Sequence, residues 1–186
     1  MTLPPPRPLD LAGVSLRLAQ HAGLAGVLLD GLDLRGLPLA GVAFTGSRLM
    51  ACDLRGADLR GADFSGTRLD KTDLGDTTAA GTNWTGARLT DCAAAGADLC
   101  QADLSSASLL RCKLPGANLA RIAGDRLRLA LSALEGVCLE GATLTQASLI
   151  RNDLKRASLD DASLQKSQLV ECDLTDARLA LARANQ

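Results

Sequence analysis

The chain has 186 residues, of which 47% are hydrophobic but only 2% aromatic, and 20 basic residues face 21 acidic ones. This balance argues against a basic nucleic-acid binder and against a disordered or strongly acidic chain. One histidine, no CxxC pair, no GxSxG motif, no phosphate-binding loop and no apolar run of 18 residues favour a cytoplasmic protein that is not an enzyme. We expect no cofactor, no metal site and no membrane span.

Large apolar residues recur at every fifth position along the chain. From Leu9 to Ala184 this register holds 36 positions, of which 27 are Leu, two are Phe and one is Trp. A second register, two residues earlier, holds mostly Ala, Ser, Thr or Cys. A helix needs apolar spacings of three and four and a strand needs two, so a strict five fits neither. It predicts a chain that turns a corner every five residues, with one large and one small side chain inward per side.

Several units match the pattern Ala-(Asp/Asn)-Leu-x-x, as at residues 57–61, 97–101 and 117–121. Over nearly the whole chain this pattern resembles the pentapeptide-repeat family. The resemblance implies an all-β fold, a right-handed quadrilateral parallel β-helix with four pentads per coil. At 20 residues per coil, the 36 pentads predict about nine coils. The resemblance also implies a homodimer, often assembled end to end.

The two ends and one internal segment depart from the repeat. We expect an N-terminal cap and an irregular first coil over residues 1–24, the β-helix over 25–184, and a C-terminal tail or cap over 180–186. Within residues 121–132, Gly124 stands at a large position while Ile122 and Leu127 stand at small ones. Overpacking beside a missing side chain predicts an irregularity or a boundary between two lobes there.

Residues 20 apart should lie on top of one another in such a solenoid. Phe44, Phe64 and Trp84 then form consecutive rungs of one side, and we interpret them as core rather than as a base-stacking surface. Four of the six cysteines fall in the small inward register of the second side, where we expect buried free thiols: Cys52, Cys92, Cys112 and Cys172.

The same spacing orders the surface of the first side into two candidate partner-binding columns. The position before each Leu provides exposed arginines, which are Arg48, Arg68, Arg88 and Arg128. Stacked like charges need counter-charges, and Asp70 and Asp91 are near in sequence. The position after each Leu becomes apolar toward the C-terminus, with Leu131 alongside, and these residues are Leu110, Leu131, Ile150 and Val170. Several large apolar side chains in one line indicate a contact surface.

The second side carries a column of carboxylates, interrupted by Ala93, Lys113 and Ala133. Its members are Asp33, Asp53, Asp73, Asp153 and Asp173. One interpretation is structural, because Asp in this place can bond local backbone N–H groups. The other follows from the resemblance, since some family members imitate duplex DNA and occupy the DNA groove of type II topoisomerases. The near-neutral charge and the absence of loop insertions argue against that role.

The leading hypothesis is a non-enzymatic scaffold that presents ordered surface columns to a protein partner of unknown identity. The first alternative is a DNA-mimicking modulator of DNA gyrase or another type II topoisomerase. The second is an accessory or effector of a bacterial secretion system, which rests on fold-level analogy alone. We expect no direct binding of nucleic acid.

Overall fold

In the structure, a computed structural model that describes residues 8–183, eight short strands stack into one parallel sheet in chain order. Each strand pairs with the strand 20 residues further on, so that Leu49 lies opposite Leu69 and Leu69 opposite Leu89. The strands are β1 (Leu28–Asp30), β2 (Arg48–Met50), β3 (Arg68–Asp70), β4 (Arg88–Thr90), β5 (Ser108–Leu110), β6 (Arg128–Ala130), β7 (Ser148–Ile150) and β8 (Gln168–Val170).

The other three sides of the coil pair at the same 20-residue interval through single parallel bridges. The bridges between Asp33 and Asp53, between Asp58 and Thr78, and between Asp63 and Asn83 represent the second, third and fourth sides. Backbone donors and acceptors are thereby satisfied from coil to coil, as a chain with so little conventional secondary structure requires. The fold is the right-handed quadrilateral β-helix that the sequence predicts.

A helix takes the place of the first expected coil. Helix α1 (Leu11–Ala19) begins at Asp10, whose side chain accepts the Gly13 N–H at 2.7 Å. Val14 is fully buried and packs onto the core. The estimate of about nine coils was therefore too high. Eight strands leave seven intervals of 20 residues, or about 34 Å at the usual strand spacing.

The corner residue that ends each pentad has a positive φ. Glycine occupies eleven of the fifteen such positions from 26 to 96, but only three of the seventeen from 101 to 181. Glycine adopts this conformation without steric penalty, whereas other residues are strained there. Corners near the N-terminus are consequently bare, and corners near the C-terminus carry side chains.

The aromatic residues form the predicted inward stack. The ring centroids of Phe44 and Phe64 are 4.5 Å apart with an interplanar angle of 7°, and those of Phe64 and Trp84 are 4.2 Å apart at 4°. The indole N–H of Trp84 donates to the Thr82 hydroxyl at 2.7 Å, which satisfies its one buried donor. The interpretation of these rings as core is confirmed.

Backbone pairing continues through residues 121–132, where Ala123 bridges to both Asp103 and Thr143. A Cβ added at Gly124 would lie 2.8 Å from Leu144 Cδ2 and 3.4 Å from Leu127 Cδ2. Leu127 therefore occupies space beside the missing side chain. Because the backbone bridges between coils continue through this segment, any irregularity there is confined to the packing of side chains.

In part of the second side, the backbone N–H of the small inward position has a different hydrogen-bond partner from that on the other sides. On the other sides its backbone N–H donates three residues back, as from Ala57 to Leu54 at 2.9 Å. At two positions of the second side, side chains of the next coil accept it instead: the Cys112 N–H donates to Ser132 Oγ and the Ser132 N–H to Asn152 Oδ1, each at 3.0 Å. The six cysteines are free, with Cys52, Cys92 and Cys112 buried and Cys172 half-buried. Burial raises the pKa of the Cys52 thiol.

The expected end segments extend beyond the residues that the structure describes. Residues 1–7 of the N-terminal cap and residues 184–186 of the C-terminal tail lie outside the described range. Within residues 180–183, only Ala182 packs against the core, while Leu181 is 78% exposed.

Candidate binding surfaces

Three stacked arginines form the first candidate surface. Arg48, Arg68 and Arg88 occupy directly paired positions of β2, β3 and β4, about one strand spacing of 4.8 Å apart. We call them the arginine column. All three are exposed, and none forms a salt bridge with any residue between 8 and 183.

The acidic residues expected to balance this column do not do so. Asp91 lies at a corner and receives both hydrogen bonds of the Arg111 guanidinium, at 2.7 and 2.8 Å, from the next coil. These bonds lower the pKa of Asp91. Asp70 is half-buried on β3 and makes no salt bridge within the described chain.

A shallow groove of about 320 Å³ runs between the arginine column and the next outward column of the first side. Besides the three arginines, it is lined by Met50, Asp70 and Thr90. Met50 is 41% exposed and gives the groove an apolar surface. The preceding corners are glycines whose Cβ positions face open space, so that no side chain covers the column from that edge: Gly46, Gly66 and Gly86.

A second candidate surface lies nearer the C-terminus on the same side. Leu110, Ile150 and Val170 share one column, with Ala130 between the first two, and Leu131 lies at the adjoining corner. We call the four large residues the apolar stripe. Leu131, Ile150 and Val170 are 51, 38 and 44% exposed.

Charged pairs border the apolar stripe on one edge. The Arg111–Asp91 pair and the Arg151–Glu171 pair each join adjacent coils there. Arg128 belongs to the register of the arginine column, but Ser108 separates it from Arg88, and it lines a different groove with Ile150. The structure thus divides the predicted candidates into two surfaces in different halves of the solenoid.

The acidic column of the second side stacks as predicted. Asp33, Asp53 and Asp73 pair in consecutive coils, and Asp153 pairs with Asp173. Each carboxylate accepts the backbone N–H two residues further on, the donors being Arg35, Arg55, Gly75, Lys155 and Thr175. The bonding to local backbone N–H groups is therefore confirmed.

Basic residues that the sequence analysis missed neutralise most of this column. Arg35 donates both Nε and Nη2 to Asp33, at 2.9 and 2.7 Å, and Arg55 does the same to Asp53. Hydrogen bonds from Arg35 hold the pKa of Asp33 at about 2. Lys155 lies 3.3 Å from Asp173 and 3.7 Å from Asp153. In the sequence, these ion pairs are indicated by the recurring spacing Asp-x-Arg or Asp-x-Lys.

Neither a metal-binding cluster nor a membrane-spanning helix occurs among the residues that the structure describes. Residues 8–183 bring together no group of three His, Cys, Asp or Glu side chains that could hold a metal ion. In the same range no helix has the length and apolar character needed to cross a membrane.

Comparison with known families gives an independent result. Pentapeptide repeats match in eight copies, over residues 39–76, 83–120 and 138–176. The chain belongs to the pentapeptide-repeat family. A search of curated protein sequences gives no match.

Several solved structures match this chain over most of its length. A trypsin-treated variant of QnrB1, a plasmid-mediated fluoroquinolone resistance protein, is 17% identical with a TM-score of 0.50, covering 85% of this chain and 89% of its own. HetL from Nostoc sp. strain PCC 7120, involved in heterocyst differentiation regulation, is 24% identical with a TM-score of 0.37, covering 93% and 94%. A protein of the Arabidopsis thaliana thylakoid lumen is 23% identical with a TM-score of 0.39, covering 70% of each chain. At such identities the likeness to QnrB1 concerns the fold alone.

Proposed function

We propose that this pentapeptide-repeat protein is a non-enzymatic scaffold that binds a protein partner through its apolar stripe. The observation that carries the proposal is the exposure of Ile150 and Val170, paired on β7 and β8, and of Leu131 at the adjoining corner, each more than a third exposed. Scattered exposed apolar residues are ordinary, but an aligned set bordered by polar groups is typical of interfaces.

The rigidity of the scaffold supports this role. The three residues project from one hydrogen-bonded sheet and the corner beside it, and the buried leucines of the same strands hold that sheet in place. Little side-chain or backbone order has to be imposed when a partner docks, which lowers the entropic cost of binding.

Substitution of the stripe tests the proposal. Wild-type protein, Leu131→Asp with Ile150→Asp, and the matched control Leu16→Asp on α1 would each be immobilised and exposed to a cell extract. Leu16 is 58% exposed, so the control places the same charge on an unrelated apolar surface. We expect proteins retained by wild type and by the control to be lost from the double variant.

Two readouts complete the experiment. A retained protein is purified and titrated against all three variants, and light scattering records the oligomeric state of each variant alone. If wild type is a dimer and the double variant a monomer, the partner is a second copy of the chain. Equal retention by the double variant and wild type, with unchanged oligomeric state, would contradict the proposal.

The topoisomerase alternative has weaker support. Mimicry of DNA requires exposed, unpaired carboxylates, whereas Asp33, Asp53, Asp153 and Asp173 lie beside Arg35, Arg55 or Lys155. A gyrase supercoiling assay with and without a quinolone tests it, and no effect at micromolar protein would exclude it. The secretion-system alternative stays a prediction, which the genomic neighbourhood would test.

A further inference from the structure

The arginine column differs from the paired arginines of the β-helix. Arg35, Arg55, Arg60 and Arg111 each present their fork to a carboxylate with two hydrogen bonds between 2.6 and 3.0 Å. Arg48, Arg68 and Arg88 have no such partner within residues 8–183, although they project from the rigid strands β2 to β4. Three like charges at strand spacing repel one another, so an external anion would relieve that repulsion.

The groove beside the column indicates which kind of anion fits. A uniform polyanion such as single-stranded nucleic acid would set phosphates along the whole groove, including beside the carboxylate of Asp70. It would also gain little from Met50, and the three aromatic rings are stacked inside the core, where they cannot stack on bases. A peptide can alternate its chemistry, placing carboxylates on the arginines and apolar residues over Met50.

We propose that the groove beside Arg48, Arg68 and Arg88 binds an extended acidic segment of a protein partner, with its apolar residues against Met50. An extended chain directs alternate side chains to opposite sides. A segment lying in the groove can therefore direct its acidic side chains to the arginines and its apolar side chains to Met50. The bare glycine corners at 46, 66 and 86 leave that approach open. Thr90 of this groove pairs directly with Leu110 of the apolar stripe, but the exposed stripe residues Leu131, Ile150 and Val170 lie at least two coils beyond Arg88.

Fluorescence anisotropy tests the proposal with defined ligands. The first is a fluorescein-labelled ten-residue peptide of alternating Glu and Leu, and the controls are the corresponding Lys and Leu peptide and a ten-nucleotide single-stranded DNA. The protein variants are Arg68→Gln and the triple Arg48→Gln, Arg68→Gln, Arg88→Gln. Arg121→Gln is the matched control, because it removes an exposed arginine that lies outside the groove.

We expect the Glu–Leu peptide to bind wild type and the Arg121→Gln protein equally, and to bind more weakly as salt rises. Arg68→Gln should weaken binding by up to about fivefold, and the triple variant by more than about tenfold. Circular dichroism confirms that the variants remain folded. Binding of the stripe-dependent partner should be unchanged in the triple variant, so that failure here and failure of the scaffold proposal are distinguishable.

Three results would each overturn the inference. The first is a Lys–Leu peptide that binds as well as the Glu–Leu peptide. The second is a triple variant that retains wild-type affinity. The third is single-stranded DNA that binds as tightly as the acidic peptide and depends on the same arginines, which would assign the groove to nucleic acid.

Discussion

In the coils before residue 100 most corners are glycine, whereas in the coils after it most corners carry side chains at the same positive φ. Each non-glycine residue in this conformation costs about 1 kcal/mol relative to its preferred backbone. The N-terminal half, residues 23–100, therefore has a relaxed backbone and bare corners. The C-terminal half, residues 101–183, is more strained and presents additional surface groups such as Leu131 at its corners.

The two halves also fill their cores differently. Three stacked aromatic rings occupy the fourth side of the N-terminal half, while the same side of the C-terminal half contains Leu104, Gly124, Leu144 and Leu164. The backbone pairing between coils is the same in both halves, so core residues and corner residues can differ without a change of fold. The two candidate surfaces reflect these differences, since the arginine column lies in the N-terminal half and the apolar stripe in the C-terminal half.

The largest expected effect concerns the exchanged pair Gly124 and Leu127. In the coils on either side, the same two positions are Leu104 with Ala107 and Leu144 with Ala147, all of them buried. We expect Leu127→Ala alone to lower the free energy of unfolding by about 2–5 kcal/mol through the cavity it leaves, and Gly124→Leu alone by about 1–3 kcal/mol through overpacking. The double variant should lose much less than the sum, because it restores the arrangement of its neighbours.

Urea denaturation of the two single variants and the double variant measures this coupling. The reciprocal double variant Leu104→Gly with Ala107→Leu is the control, since it copies the exchange into an adjacent coil. Additive losses in the Gly124 and Leu127 pair would show that Leu127 does not fill the space beside Gly124.

A smaller effect should distinguish the corners of the two halves. Gly66 and Ser106 belong to one corner column, have φ of 63° and 59°, and lie in different halves. Gly66→Ala should lower the free energy of unfolding by about 0.5 kcal/mol, because a Cβ there meets nothing within 4 Å and the lower entropy of the unfolded chain offsets part of the backbone cost. Ser106→Gly should raise it by about 0.5 kcal/mol, after the entropy of the unfolded glycine is subtracted.

Thermal and urea unfolding of both proteins check these signs. Pro or β-branched substitutions are unsuitable as controls because they add steric effects of their own. A neutral Gly66→Ala together with a destabilising Ser106→Gly would remove backbone strain as a difference between the halves.

The regular part of the molecule could be predicted because its period is an integer. Five residues per side and four sides per coil place residues 20 apart in contact, and this alone predicts the stacking of Phe44, Phe64 and Trp84. It also predicts which arginines and which apolar residues share a column. No tertiary information is needed for these relations, since every coil repeats the same geometry.

The period of the repeat does not predict where the repeat is interrupted or how exposed side chains pair. Leu9, Val14, Ala19 and Leu24 keep the spacing of five, yet Asp10 begins a helix because it caps a segment in which six of nine residues are Leu, Ala or Arg, all good helix formers. The period also predicts no rotamers of long exposed side chains. For that reason proximity in sequence suggests Asp91 as a counter-charge for the arginine column, whereas in the structure Asp91 binds Arg111.

The smallest effect should separate the ion pairs of the two halves by their dependence on pH. In the N-terminal half, Arg60 donates two hydrogen bonds to Asp58 of the same pentad and lowers the pKa of that carboxyl to about 2. In the C-terminal half, Arg151 donates to Glu171, which belongs to the neighbouring coil, and lowers the pKa of Glu171. Carboxyls whose folded pKa is lowered stabilise the fold above their unfolded pKa values of about 4, and this contribution is lost as the pH falls through the folded pKa.

The urea midpoints of wild type, Asp58→Asn and Glu171→Gln should therefore converge as the pH falls from about 5 to about 2. Convergence should be clearer for Glu171→Gln, because a pair between coils exists only in the folded state, whereas a pair two residues apart can persist in the unfolded chain. Midpoints that keep a constant separation across this range would show that neither carboxylate contributes through its charge.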